Sequence, residues 1–235
     1  MPLTVRPIKI VRPFLKHAEG SCLFQMGRTR VLCVASVEDR VPPHAEEKGI
    51  GWVTAEYAML PRAGEKRTPR NRASGGGRAH EISRLIGRSL RAVVDLAALG
   101  PRTITVDCDV LEADAGTRTA SVNGGFIALV DAMRLLWKEG KLASWPVKDS
   151  VCAVSVALRG NKIVLDPAYE DDAGADVDMN VVMTGSGRFV EIQGTAERTP
   201  FDHKTLARFL DAARGGGRVV TAAQKRVLKS WGPPG

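Results

Sequence analysis

"TITVDCDVLEADAGTRTASVNGGFIALVDAMRLLW", residues 103–137, changes its pattern of apolar residues near the middle. Residues 103–114 alternate apolar and polar side chains and are rich in β-branched residues, which predicts a strand. Residues 126–137 repeat apolar side chains at helical spacing, which predicts a helix. The chain is therefore expected to pass from a strand to a helix here, with the helix beginning near Arg118.

The junction "AGTRTAS" contains residues suited to binding an oxyanion. Gly116 allows the backbone to approach a ligand closely, and Thr117 and Thr119 supply hydroxyls beside the guanidinium of Arg118. The free amides at a helix start also favour negative charge. Because the same residue types are common helix caps, capping is the alternative interpretation. The chain has no GxxxxGK[ST] motif, which excludes a Walker-type phosphate loop.

The composition is that of a soluble globular protein, with 44% hydrophobic and 26% charged residues among 235. No Pro/Ser linker or low-complexity tract divides the chain, so a single domain over residues 1–235 is expected. The longest apolar runs, such as "FIALV", are too short to span a membrane, and a cytoplasmic protein without a membrane partner is expected. The scattered Cys22, Cys33, Cys108 and Cys152 lack metal-site spacing and are expected to be buried, reduced thiols.

A net charge of +8 points to a polyanionic partner. The basic residues are concentrated in "RAGEKRTPRNRASGGGR", residues 62–78, where six basic side chains accompany one acidic side chain. Since Pro and Gly interrupt this segment and little in it can be buried, it is predicted to be a solvated cationic loop. Taken alone, such a loop is equally typical of an ordinary soluble surface.

The segment after this loop, "HEISRLIGRSLRAVVDLAALG", predicts a helix over residues 80–100. Its apolar stripe comprises Ile82, Leu85, Ile86, Leu90, Val93, Val94 and Ala97. Arg84, Arg88 and Arg91 form a basic line along it, and Arg78 stands near its start, where a phosphate is favoured. The alternative is a solvated face with Arg91 paired to Asp95.

An acidic segment follows a predicted hairpin, "VCAVSVALRGNKIVLDP", whose two strands are joined by a Gly-Asn turn. The acidic residues are Glu170, Asp171, Asp172, Asp176 and Asp178. In an extended segment, Asp176, Asp178 and Asn180 share one face of the strand. Clustered carboxylates suit Mg²⁺ together with waters and substrate phosphates. A solvated acidic turn, or a set of partners for basic loops across a subunit interface, is the alternative.

Five stretches of the chain closely resemble the ribonuclease PH family, phosphate-dependent 3′-to-5′ exoribonucleases. They are "GWVTAEYAMLPRA", "GGGRAHEISRLIGRSLRAVVDL", "TITVDCDVLEADAGTRTAS", "ALVDA" and "DVDMNVVMTGSGRFVEIQGTAE". The resemblance runs from about Val5 to Leu228, and the string "VDMNVVMTGSG" is specific to that family.

The resemblance implies a compact α/β (α+β) fold, with βαβ units like those of domain 2 of ribosomal protein S5. It also implies self-association as a homohexameric ring, a trimer of dimers. In the family, inorganic phosphate is the co-substrate that attacks the terminal phosphodiester and releases a nucleoside diphosphate. The usual partner is the 3′ extension of precursor tRNA, and other RNA 3′ ends are possible substrates. Mg²⁺ is the implied cofactor, and oxygen ligands suit Mn²⁺ as well.

Matching motifs carry the functional residues of the family to this chain. The phosphate-binding residues are Arg78 in "GGR" and Gly116, Thr117 and Arg118 in "GTR". The catalytic aspartates match Asp172 and Asp178, which are also the expected metal ligands. RNA contacts are expected from the cationic loop, at Lys66, Arg67, Arg70 and Arg72, through phosphates and without reading sequence.

The chain departs from the family pattern in a shorter cationic loop, in Gly124 and Gly125 of "VNGGF", and at two further places. The family usually has an Arg-x-Asp-Gly-Arg stretch ahead of the segment that matches "VRPIKI", where this chain has only "MPLT", so one basic RNA contact is expected to be missing. In addition, three glycines at 215–217 lie within a predicted C-terminal helix. Because each glycine costs about 1 kcal/mol relative to alanine, a break in that helix is expected there.

Two other functions remain open at this point. The first is a catalytically inactive ring subunit of the same fold that binds RNA without cutting it. Retention of Arg78, Arg118, Asp172 and Asp178 argues against that alternative. The second is a ribosomal or other structural RNA-binding protein, which the acidic cluster disfavours because carboxylates repel a phosphate backbone unless a metal intervenes.

Overall fold

The stretch 103–137 forms a strand, Thr103–Glu112, and a helix, Thr117–Lys138, as predicted. The structure is a computed structural model that describes residues 3–70 and 76–234. Its strands are β1 (Ile8–Val11), β2 (Gly20–Met26), β3 (Thr29–Glu38), β4 (Trp52–Met59), β5 (Thr103–Glu112), β6 (Val151–Arg159), β7 (Lys162–Leu165), β8 (Val177–Thr184) and β9 (Phe189–Ala196). Its helices are α1 (Pro43–Glu46), α2 (Gly77–Arg91), α3 (Leu96–Leu99), α4 (Thr117–Lys138), α5 (Tyr169–Ala173) and α6 (His203–Leu228).

The strands form two sheets. The first has the order β1-β2-β3-β5-β4, in which β4 and β5 pair in parallel and the other neighbours are antiparallel. The second has the order β7-β6-β8-β9 and is antiparallel throughout. The predicted hairpin is β6 and β7, joined at Gly160 and Asn161. This mixed architecture confirms the expected α/β class.

Helix α4 is the centre of the core. It contacts β2 and β3 of the first sheet and β6 of the second, so it is buried around most of its circumference. One polar residue in its middle, Asn123, is fully buried and bonds to both backbone groups of Ala153 on β6, at 2.9 and 2.8 Å. These two bonds satisfy the amide and fix the helix against the second sheet. The turns of α4 that follow Thr117 are therefore fixed against β6.

The predicted helix over residues 80–100 is interrupted. Helix α2 ends at Arg91, Val94 pairs with Val147 in an isolated bridge, and α3 follows. Asp95 does not pair with Arg91, because its carboxylate caps α3 by accepting from Ala97 N and Ala98 N at 3.1 and 3.2 Å. The extended backbone of Asp95, with φ −83° and ψ 102°, separates the two helices, and Ala97 is exposed.

The expected break at residues 215–217 is absent, since α6 runs continuously from His203 to Leu228. The reason is close packing against the second sheet. A Cβ atom on Gly216 would lie 3.0 Å from Leu165 Cδ1 and 3.2 Å from Val5 Cγ1. The glycines therefore let the helix approach the sheet, and the packing offsets their low helix propensity.

The expectation of buried thiols is confirmed for Cys22, Cys33, Cys108 and Cys152, which are free and buried. Within residues 3–70 and 76–234, no helix combines the length and the apolar character needed to cross a membrane. Apolar residues of both sheets belong to one continuous core cluster.

Candidate active site

The start of α4 is shaped by a left-handed turn. Gly116 precedes the helix with φ 63° and ψ 24°, a conformation that favours glycine. Gly116 itself is the N-cap residue, as the capping interpretation allowed, and among the described residues no side-chain cap bond is made to the start of α4. Thr119 Oγ1 donates to Gly116 O at 2.9 Å, and Thr117 Oγ1 lies 2.8 Å from the hydroxyl of Tyr57. The amides of the first turn are thus left without a side-chain acceptor, as an anion site requires.

Arg118 on this first turn is held in a fixed position. Its Nη1 donates to Gln193 Oε1 at 2.8 Å and to Glu81 Oε1 at 3.3 Å. Gln193 also donates from Nε2 to Glu81 Oε1 at 2.9 Å and to Glu191 Oε1 at 3.0 Å. This network joins α4 to α2 and β9 and orients the guanidinium before any ligand binds.

Arg78 lies on the first turn of α2 and is exposed. Its positive charge is close enough to Asp172 and Tyr57 to oppose the rise in pKa that burial causes in both. The charge of Arg118 acts on the same two groups in the same direction. The structure therefore brings together Arg78, Arg118 and Asp172, three of the residues selected from the sequence.

Asp172 and Asp178 also lie close to each other. Asp172 is on the short helix α5, and Asp178 is on β8, where it shares a face with Asn180 as predicted. Burial raises the pKa of Asp178 to about 6, and the charge of Asp172 contributes to that rise. The charge of Arg118 and a 3.3 Å hydrogen bond from Asn180 Nδ2 oppose it. Asp176 has a different partner, since its Oδ2 accepts from Gly160 N at 2.7 Å in the hairpin turn.

The donor set of these two aspartates fits a hard divalent cation. Asp178 Oδ1 is buried and has no hydrogen-bond partner among the described residues. A buried carboxylate oxygen without a donor beside a second carboxylate is the arrangement that a cation stabilises. No group of three or more His, Cys, Asp or Glu side chains in residues 3–70 and 76–234 is arranged to hold a metal alone. Two carboxylates completed by waters and substrate phosphates match the coordination that Mg²⁺ prefers.

The cationic loop borders this site. Lys66, Arg67 and Arg70 are exposed, and Arg72 lies outside the described residues. Lys66 lines a cavity of about 210 Å³ together with Tyr57 and Arg78. The loop is thus adjacent to Arg78.

The arginine line on α2 serves other purposes. Arg88 forms a bidentate pair with Glu191, with distances of 2.6 and 2.9 Å. Arg91 lies over the Trp52 ring at 4.4 Å and donates to Val53 O at 2.7 Å. Arg84 is exposed. The line is therefore divided among separate structural contacts, and it does not form one continuous phosphate-binding surface.

Sequence reasoning missed Tyr57, Glu81 and Gln193. Tyr57 ends the buried face of β4, where Val53 and Ala55 precede it at every second position. A hydroxyl at the end of an apolar face was a possible signal. Glu81 and Gln193 are polar residues on half-buried faces, and only the three-dimensional structure shows that they meet Arg118.

Solved structures with the same fold include two archaeal exosome chains and one plant protein. One is from "archaeoglobus fulgidus exosome with RNA bound to the active site", with a TM-score of 0.80, 22% identity, and coverage of 93% of this chain and 88% of that chain. The archaeal exosome core gives a TM-score of 0.75, 22% identity, and coverage of 94% and 87%. Rice (Oryza sativa) Rrp46 gives a TM-score of 0.79, 16% identity, and coverage of 96% of each chain.

Two family models match the chain itself. The model for domain 1 of the 3′ exoribonuclease family matches residues 4–134, and the model for domain 2 matches residues 149–216. Arg78 and Arg118 lie in the first region, and Asp172 and Asp178 lie in the second. The fold is the expected one, like domain 2 of ribosomal protein S5, and the chain belongs to the ribonuclease PH family of 3′ exoribonucleases.

Proposed function

We propose that this protein is a phosphorolytic 3′-to-5′ exoribonuclease that uses inorganic phosphate to trim 3′ extensions of precursor tRNA. Other RNA 3′ ends are further substrates, and the products are nucleoside diphosphates. The observation that carries the proposal is that the charges of Arg78 and Arg118 both act on Asp172, beside a helix start whose amides have no side-chain acceptor. An inactive ring subunit would not need these charged residues to lie together, which disfavours that alternative.

Inorganic phosphate binds between Arg78 and Arg118, at the first-turn amides of α4. Charge-assisted hydrogen bonds from both guanidinium groups hold the anion and restrict it to a near-attack position. Since Gln193 already orients Arg118, little reorganisation accompanies binding. The Tyr57 hydroxyl holds the Thr117 hydroxyl at 2.8 Å in the same turn.

The reaction needs no strong base from the protein, because the attacking phosphate is already an anion. An oxygen of hydrogen phosphate forms a bond to the phosphorus of the terminal nucleotide, and the bond from that phosphorus to the preceding ribose 3′ oxygen breaks. The 3′ oxygen leaves with the electron pair and takes a proton, and hydrogen phosphate gives one up. The products are a nucleoside diphosphate and an RNA shortened by one nucleotide. The reverse reaction adds nucleotides from diphosphates.

Asp172 and Asp178 would hold Mg²⁺ or Mn²⁺, which when bound supplies positive charge to the phosphoryl oxygens and the leaving oxygen. The buried, unpartnered Oδ1 of Asp178 supports this assignment. Without a cation, two carboxylates this close to each other would repel the phosphates of RNA and the attacking anion.

RNA is held by the cationic loop, with Lys66, Arg67, Arg70 and Arg72 bound to phosphates of the acceptor stem. We propose that the chain forms one folding domain and assembles as a homohexameric ring in the cytoplasm. The archaeal exosome with RNA at its active site supports RNA binding at this fold. Sedimentation velocity tests the ring through a mass six times that of one chain.

The deciding experiment incubates the protein with 3′-extended tRNA and Mg²⁺, with and without inorganic phosphate, and identifies the released nucleotides. Nucleoside diphosphates formed only with phosphate are expected. Monophosphates formed without phosphate would show hydrolysis and overturn the proposal. RNA that binds but stays intact would identify the inactive ring subunit.

Matched variants assign the residues. Arg118→Ala is expected to raise the KM for phosphate and to lower kcat/KM at least about 100-fold, as removal of one charged donor does at comparable sites. Arg84→Ala removes an exposed arginine from α2 and is the control. Asp178→Asn is expected to abolish turnover, whereas Asp176→Asn, two residues earlier on the chain, retains it.

A further inference from the structure

Arg6, just ahead of β1, makes a buried ion pair with Asp166 at the end of β7. Its Nε donates to Asp166 Oδ2 at 2.8 Å, its Nη2 donates to Oδ1 at 2.7 Å, and its backbone N donates to Oδ2 at 2.9 Å. The Asp166 side chain is 0% exposed and the Arg6 side chain 16%. Three bonds to one buried carboxylate define the relative position of the two segments.

The same guanidinium also holds the loop that leads into α4. Its Nη1 donates to the carbonyl oxygen of Asp114 and approaches Asp114 Oδ2 at 3.4 Å. Asp114 in turn accepts at Oδ1 from Tyr169 N, the first residue of α5, at 3.1 Å. Arg6 and Asp114 thus connect the start of α4 with the start of α5.

Both connected turns have left-handed backbone. Asp166 has φ 50°, and Ala115 has φ 57° directly before Gly116 at φ 63°. Such conformations in non-glycine residues persist where surrounding contacts hold them. Arg6 contacts Asp166 itself, and it lies beside the second turn, since a Cβ on Gly116 would be 3.3 Å from its Nη2.

We propose that Arg6 is a positioning residue of the active site, which fixes the carboxylate helix α5 relative to the phosphate-binding turn before α4. This inference rests on the proposed function. Arg6 and Asp114 lie in the region matched by the first family model, and Asp166 and Asp172 lie in the region matched by the second. The residues proposed to bind phosphate and those proposed to bind the metal are divided in the same way, so their alignment depends on contacts between the two regions.

Arg6 affects the position of Asp172 through Asp114 and the start of α5. Asp172 is the fourth residue of α5, one turn after the Tyr169 amide that Asp114 holds. The charge of Arg6, together with those of Arg78 and Arg118, opposes the rise that burial causes in the pKa of Asp172. Arg6 is therefore near Asp172, and its guanidinium is bonded to Asp166 and Asp114.

Arg12 provides a matched control. It forms a bidentate pair with Asp131 on α4, with Nε to Oδ2 at 2.7 Å, and donates from Nη1 to Val227 O at 2.8 Å. Its side chain is 24% exposed and that of Asp131 10%. Arg12 therefore makes the same kinds of bonds at similar burial, but it contacts neither α5 nor the turn before α4.

The kinetic test compares Arg6→Gln with Arg12→Gln at equal concentrations of folded protein, with short RNA and varied phosphate. For Arg6→Gln, we expect kcat to fall about 10- to 100-fold, because a small displacement of a reacting group has effects of this size. We expect the KM for phosphate to change less than about threefold, since the phosphate donors remain. Arg6→Lys should recover part of kcat, and Arg12→Gln should keep it. Equal losses in the Arg6 and Arg12 variants, or a normal kcat in Arg6→Gln, would overturn the inference.

Amide hydrogen exchange tests the junction without relying on activity. In Arg6→Gln, exchange at residues 113–117 and 168–173 should accelerate together by at least about tenfold, while Arg12→Gln leaves both segments unchanged. Asp166→Asn keeps the shape of the ion-pair partner of Arg6, and exchange at the same amides should accelerate less in this variant. It replaces Arg6→Gln in the test if Arg6→Gln does not fold. Unchanged exchange in both variants would overturn the inference. Absence of phosphate-dependent cleavage by the wild type would overturn the proposed function instead, and exchange would still decide whether Arg6 joins the two segments.

Discussion

Nη1 of Arg118 donates to Oε1 of Gln193 over 2.8 Å, and this bond joins the first turn of α4 to the middle of β9. The amide nitrogen of Gln193 donates to Glu81 and Glu191. Gln193 thus gives Arg118 a neutral partner while it engages two neighbouring acids. Arg118 also contacts the Glu81 carboxylate at 3.3 Å, so the bond to Gln193 limits how closely that acid pairs with the guanidinium before a phosphate arrives.

Replacement of Gln193 by Leu should weaken phosphate binding. Without the amide, Arg118 pairs more closely with the Glu81 carboxylate and its charge is partly neutralised before phosphate arrives. We expect the KM for phosphate to rise about 3- to 10-fold, as expected from the loss of one hydrogen bond to a charged group, with a smaller change in kcat. Steady-state phosphorolysis at varied phosphate measures both constants. Ile192→Leu, on the opposite face of β9, should leave them unchanged, and an unchanged KM in Gln193→Leu would contradict the assignment.

The charged side chain of Asp178 should lower the free energy of unfolding of the protein at neutral pH. The pKa of its carboxyl is raised from 3.8 to about 6 in the folded protein. The folded state therefore binds this proton more tightly than the unfolded chain, and stability falls as the pH rises from about 4 to about 6. In the absence of divalent cations, Asp178→Asn should be about 1–3 kcal/mol more stable than wild type at pH 7.5. Near pH 4 the difference should largely disappear.

Urea unfolding at both pH values measures this difference. Asp176→Asn is the control, because Asp176 accepts a 2.7 Å bond from Gly160 N and its replacement offers no such gain. Mg²⁺ should raise the stability of wild type more than that of Asp178→Asn, since a ligand stabilises the state that binds it. An Asp178→Asn protein that is no more stable than wild type at pH 7.5 would contradict the prediction.

The glycines of α6 should respond in opposite ways to alanine. A Cβ on Gly215 meets nothing within 4 Å, so Gly215→Ala should stabilise the protein by about 0.5–1 kcal/mol through helix propensity. A Cβ on Gly216 would lie 3.0 and 3.1 Å from the two methyl carbons of Leu165 and 3.2 Å from Val5. Gly216→Ala should therefore be destabilising by about 1–2 kcal/mol. Thermal and urea unfolding of the two variants test this, and a stabilised Gly216→Ala protein would show that the contact relaxes freely.

The cationic loop should matter more for tRNA than for short RNA. Lys66→Gln combined with Arg67→Gln should weaken tRNA binding. It should also make the slope of log K against log salt shallower by about 1–2, because binding releases fewer counterions when fewer phosphates are contacted. Turnover of a short oligonucleotide should change less than about twofold. Lys204→Gln with Lys225→Gln, two exposed lysines on α6, is the control of equal charge. An equal loss in both double variants would indicate a general charge effect.

The sequence predicts the parts of this protein that depend on local pattern. The strand-to-helix passage at 103–137, the β6–β7 hairpin and the shared face of Asp178 and Asn180 follow from periodicity. The continuation of α6 through Gly215–Gly217 does not, because the contact that favours it, between Gly216 and Leu165, is visible only in three dimensions. The end of α2 depends in the same way on the capping of α3 by Asp95.

The candidate site shows the same division. The charged residues that resemble the family motif were found in the sequence, and the structure brings Arg78, Arg118 and Asp172 together. Gln193 and Glu81 were missed because nothing in their local sequence distinguishes them from other half-buried polar residues. Their positions depend on the packing of α2 and β9 around α4, which no single stretch of sequence contains.

The bond between Arg6 and Asp166 joins residues 160 positions apart in the chain. During synthesis, the ribosome must therefore complete most of the protein before this junction can close. A nascent chain folded only through α4 would already expose a surface attractive to anions, yet it would lack both aspartates. On the proposed assignment, such an intermediate can hold RNA but cannot shorten it. On that assignment, nuclease activity waits until the segment that carries Asp172 and Asp178 has been made.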